Sequence, residues 1–198
     1  MQILGGYVIA TPTKLGPADL PHPLWTISPC LLPDLPGPSY GDWFTDRTHA
    51  EAVLKTTGVE ADLLAVGIEE ALANDLRADR ADWWARNPAL AISPGGKRET
   101  SVDEPGADDF FQLLDQQLPL PPDAETLGYE LVGLETDFTF HSWHCFPFAA
   151  ERRALGVTLA PNGLLADHGD ALRVLDLIRE EPPYEVPWTV ATLAVVGK

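Results

Sequence analysis

Cysteine, methionine and positive charge are all scarce in this chain. Two cysteines, Cys30 and Cys145, and one methionine stand among 198 residues. That is too few for a disulfide framework and makes a cytoplasmic setting the expectation. No apolar run approaches the roughly 18–20 residues a membrane span requires, and the N-terminal MQILGGYVIATPTK lacks the basic start and small-residue cleavage site of a secretory signal. Thirteen basic side chains stand against thirty acidic ones, a formal net charge of −17. Nucleic-acid binding calls for a basic footprint, so that class is set aside, whereas a cationic partner would be steered towards such a surface. The same acidity also serves solubility. The chain contains no glycine-rich strand-to-helix turn, no paired CxxC and no HExxH, so no motif fixes a reaction.

What is present is centred on 128–148, GYELVGLETDFTFHSWHCFPF. Its first half is rich in aromatic and aliphatic residues and follows a proline-rich loop, which predicts a strand over 129–135. Phe138 and Phe140 alternate with Thr139 and His141, so strand structure should extend to 141 with the phenylalanines on one face. Strands are also expected at 3–11 and 188–196. Prolines at 17, 21, 23, 29, 33, 36 and 38 deny 14–40 a long helix or a central strand and predict an irregular wrap anchored by Trp25, Ile27, Leu31 and Leu32.

Helical spacing runs through the intervals. A helix carrying Ala50, Val53 and Leu54 should close at Gly58. Leu64, Ile68, Ala71, Leu72 and Leu76 follow the spacing of one buried helical face, predicting a helix over 60–76 that extends through Trp83 and Trp84 until Asn87 and Pro88 stop it. Further helices are expected at 108–118, at 148–155, and from an Asp167 cap to Arg179, with a turn at APNG, 160–163. The sum is a single α+β domain spanning 1–198. Its sheet, antiparallel or mixed, should use the N-terminal, central (129–141) and C-terminal strands, with helices mainly on one face.

Asp137, His141, His144 and Cys145 have the side chains of a zinc site. On extended backbone, however, 144 and 145 point oppositely, so the bland reading is two hydrogen-bonded histidines and a buried cysteine. Cys145 could alternatively act as a nucleophile with His22, His49, His141 or His168 as base. Glu135 and Asp137 offer a carboxylate pair, although such pairs are more often solvated. Most tryptophans suit a core, but Trp83 and Trp84 diverge by about 100° on a helix, which directs one towards the surface.

Several segments, LGYELVGLE at 127–135, FHSWHC at 140–145, LGVTLAPNGLLAD at 155–167 with its following helix, and EVPWTV at 185–190, form a pattern. It resembles that of immunity proteins from bacterial polymorphic-toxin systems. The resemblance implies a small cytoplasmic protein that neutralises a cognate, basic toxin domain by binding it, with no catalytic residue and no cofactor. In that role, composition points to two partner-binding patches: Asp79, Asp82, Trp83 and Trp84, and then Asp103, Glu104, Asp108 and Asp109. The runner-up is a metal-dependent or cysteine enzyme centred on Asp137, His141, His144 and Cys145.

Overall fold

A computed structural model describes residues 1–14, 16, 20–28, 31, 43–58, 60–86, 107–134, 140–146, 155–180, 182 and 186–197. The elements run β1 (Gln2–Ala10), β2 (Trp43–Phe44), α1 (Arg47–Thr57), β3 (Asp62–Glu69), α2 (Glu70–Arg86), α3 (Ala107–Gln116), β4 (Ala124–Leu134), β5 (Phe140–Ser142), a 3-10 turn (Trp143–Cys145), α4 (His168–Glu180) and β6 (Trp188–Val196). The strands form one sheet in the order β2-β1-β3-β6-β4-β5, with every neighbouring pair antiparallel. The fold is α+β, and the first, central and last strands all belong to the common sheet.

The C-terminal strand lies in the middle. Val, Thr, Leu and Ala dominate β6, and all nine of its residues are buried, as expected of a strand covered on both faces. Its neighbour β3 corrects the sequence reading of a helix over 60–76. Residues 62–69 are strand and the helix starts only at Glu70. Leu64 and Ile68 do stand four apart, but Ala65 and Val66 between them, and Leu63 before them, are equally buried. An unbroken apolar run with β-branched members is what a two-sided central strand needs, and a short run of that kind fits both periodicities. The buried face of α2 itself rests on Leu72, Ala73 and Leu76.

The helices expected to close at Gly58, over 108–118 and from an Asp167 cap to Arg179 are present as α1, α3 and α4, and ends of α1 and α4 are chemically explained. Asp46 accepts from the His49 amide at 2.7 Å, and Gly58 closes α1 with φ 63°, a left-handed conformation that glycine adopts without strain. Asp167 accepts from the Asp170 amide at 3.0 Å and so caps α4. The helix expected at 148–155 lies, but for Leu155, outside the described residues.

The sheet is strongly curled. Six strands laid flat would separate β2 from β5 by about 24 Å, five spacings of about 4.8 Å. Yet the rings of Trp43 on β2 and Phe140 on β5 are 4.8 Å apart, and Phe110 of α3 meets both edge-on, at 5.6 and 5.3 Å. Gly5 and Gly6 make room for this seam, since a Cβ at either would collide with the Phe110 or Trp43 ring. Inside the curl the larger core gathers Val8, Leu64, Val66, Leu193 and Val195 with apolar side chains of α2, α3 and α4. The alternate residues Tyr7, Ile9, Leu63, Ala65 and Val196 form a smaller core with Ala50 of α1.

Candidate functional site

A buried carboxyl is the most unusual chemical feature of the fold. In β4, Glu130 falls in phase with Val132 and Leu134, on the side where Ser142 pairs with Val132 and Phe140 with Leu134. It is therefore directed into the interior and is fully buried. An uncompensated charge there would cost several kcal/mol, so the surroundings must supply donors or keep the group neutral.

Residues 24–28, part of the proline-rich wrap, supply most of them. The Thr26 hydroxyl donates to Glu130 Oε1 at 2.5 Å and the Ile27 amide to Oε2 at 3.0 Å. Ser142 adds a side-chain hydrogen bond to the same carboxyl while accepting from the His144 amide at 3.1 Å. The Ser28 amide donates to Thr26 Oγ1 at 3.0 Å, and Ser28 Oγ lies 3.7 Å from Cys145 Sγ. Thr26, Ser28, Glu130, Ser142 and His144 are all 0% exposed, so these atoms are closed to bulk solvent. Burial pushes the Glu130 carboxyl up to about 7, against the opposing pull of hydrogen bonds from Ser142, Thr26 and Ile27.

The wrap reaches this position because the 160–165 turn docks it. The Trp25 amide donates to the Asn162 carbonyl at 2.8 Å, and Thr13 and Leu24 exchange both backbone hydrogen bonds at 2.8 Å. Asn162 in turn anchors the turn, donating through Nδ2 to the Leu127 carbonyl and accepting from the Leu164 amide. Gly163, at φ 80°, sits so close to Leu24 that a Cβ there would come within 2.6 Å. Both the conformation and the space require glycine.

The expected His/Cys set separates in this arrangement. His141 is partly exposed on β5, with its ring 6.3 Å from that of Phe146. His144 is sealed inside with its ring 4.9 Å from that of Trp143, and Cys145 is partly buried. The segment is a 3-10 turn at 143–145 and not the extended backbone expected there. Ser142 caps it through the His144 amide, a short-range bond that competes with strand pairing. Asp137 and Glu135 lie outside the described residues. Among the described residues, no three of His, Cys, Asp and Glu converge as metal ligands.

The described acidic residues of α2 are surface features. Asp75, Asp79 and Asp82 follow one another along one side of α2 at helical spacing. Arg179 of α4 lies 3.6 Å from Asp75 and 3.7 Å from Asp79, whose side chains remain 57% and 49% exposed. Asp82 is exposed, as are Asp176 and Glu180 of α4, so among the described side chains there is an acidic excess around Arg179. Trp83 and Trp84 are on α2, and Asp108 and Asp109 are in the first turn of α3, but these four side chains are outside the described set. Asp103 and Glu104 lie outside it entirely. Arg77 joins the two helices through Asp115 at 2.9 Å.

Sequence reasoning missed Glu130, Thr26, Ser28 and Ser142. The available signal was phase, since Glu130 occupies a core-facing position in an apolar strand. A second, half-buried constellation also went unseen: His168 lies 3.2 Å from Glu69, with the Tyr129 ring 5.0 Å from that of the histidine. No protein-family model, no curated protein and no solved structure matches the chain. No helix among the described residues is long and apolar enough to cross a membrane.

Proposed function

We propose that this chain is an immunity-type inhibitor that binds and neutralises a basic bacterial toxin domain in the cytoplasm through its acidic, aromatic-containing surface. The observation that carries the reading is where polar chemistry sits. The richest polar cluster, around Glu130, is sealed from solvent, whereas the carboxylates of Asp75, Asp79 and Asp82 stand along one exposed side of α2. A surface of one sign accelerates encounter with a cationic cleft and rejects like-charged partners. Trp83 and Trp84 on the same helix are the residue types that supply binding energy once the surfaces meet. Asp103, Glu104, Asp108 and Asp109 form the second patch of the proposed interface.

The test is functional as well as physical. A partner captured from the native host at low salt is expressed alone in bacteria and then together with this protein. Growth arrest by the partner, relieved by co-expression, is the expected result. A captured partner that leaves growth untouched, or arrest that co-expression does not relieve, would overturn the reading.

A further inference from the structure

The strap formed by residues 26–28 is held by the Ile27 side chain in the larger core and by two kinds of polar contact. Just before it, Thr13, Leu24, Trp25 and Asn162 join backbone to backbone, bonds that no change of ionisation alters. Thr26 and Ile27 depend instead on the Glu130 carboxyl, and Ser28 depends on Thr26. Its hydrogen bonds are thus backbone to backbone at the hinge and beyond it run to the Glu130 carboxyl, with Ser28 also 3.7 Å from Cys145 Sγ.

Among the described residues, no cation is placed to neutralise that group. The 24–28 segment, β6 and the described residues of 155–165 carry no charged side chain, and Glu125 of β4 is exposed. On β5 and its turn the titratable groups are His141, His144 and Cys145. The arginines of α4, which packs on β4, are engaged elsewhere. Arg173 binds Asp170 and the Leu155 carbonyl, and Arg179 binds the Trp188 carbonyl beside Asp75 and Asp79. An ionised Glu130 would keep three hydrogen bonds but lose the hydration that a carboxylate has in water. Lifting the strap would restore it.

We infer that Glu130 is a proton-operated latch: as a neutral acid it fastens residues 26–28 inside the curled sheet, and on ionisation it releases them about the hinge at Leu24 and Trp25. Release opens the Ser142 and Cys145 side of the cluster to water while the sheet stays intact.

Amide hydrogen exchange of the full chain reads this directly. After correction for base-catalysed chemical exchange, the protection of Ile27 and Ser28 is compared with that of Leu193 in β6, at pH about 5.5 and about 8.5, for wild type and Glu130→Gln. The latch predicts that wild type loses about tenfold protection at Ile27 and Ser28 relative to Leu193, and that Glu130→Gln does not. Equal protection of wild type at both pH values would overturn it, as would a loss shared with Leu193 or with Glu130→Gln. If Glu130→Gln fails to fold, wild type decides alone. The midpoint of protection loss at Ile27 must match the titration of the Glu130 carboxyl followed by carbon NMR, and a mismatch would overturn the latch.

Discussion

Glu130 occupies a position where strand alternation asks for an apolar side chain, and the described residues meet its polarity with donors rather than with a counter-charge. The consequence for stability has a definite sign. In the unfolded chain the carboxyl titrates near its ordinary 4.5, and in the fold near 7. Between those values the folded state holds a proton that the unfolded chain has released, so rising pH favours unfolding. The stabilisation is fully present below pH about 4.5 and lost by pH about 7, and the gap corresponds to about 3 kcal/mol. The net charge of −17 adds a general pH dependence of its own, which Glu130→Gln shares. The difference between the two proteins in denaturant midpoint, followed from pH about 4.5 to 8, isolates the residue. Glu130→Gln is expected to gain on wild type as pH rises, and parallel curves would contradict the buried-carboxyl account.

At the scale of elements, local chemistry was legible wherever it decided the outcome. The αL glycine after α1, the aspartate cap of α4 and the Val- and Thr-rich run of β6 were all readable from the chain. The 62–69 strand was not, because Leu64, Ile68, Leu72 and Leu76 keep helical spacing across a strand-to-helix junction. What decided it is tertiary, since β1 and β6 pair with both edges of β3 and the two cores cover its two faces. The Glu130 site was illegible for a similar reason, with Thr26 and Ser142 more than a hundred residues apart and joined only by the wrap. Two substitutions separate local from tertiary contributions. Asp167→Ala removes a helix cap and should cost about 1 kcal/mol. Phe140→Ala empties the seam that closes the curl and should cost about 3–5 kcal/mol. Urea unfolding of both variants gives the ranking, and a Phe140→Ala cost no larger than that of Asp167→Ala would show that the edge strands are held by something other than their rings.

For the whole molecule, the fold hides its polar cluster and displays its carboxylates, and the proposed inhibitor role follows from that division. Ion pairs such as Arg47 with Asp123, bidentate at 2.8 Å, and Arg77 with Asp115 match scarce basic side chains with carboxylates of the same chain. That leaves the surplus on the surface for an external cation. A charge-driven interface is screened by salt within about 10 Å at 0.1 M ionic strength, and its association rate falls more steeply than its dissociation rate rises. The most direct measurement is therefore the binding rate and affinity of the captured partner for wild type and for Asp79→Lys/Asp82→Lys, at low and at high salt. The account predicts association slowed by about tenfold or more in the variant at low salt, with the two proteins converging at high salt. A partner that binds both equally well at low salt would contradict it.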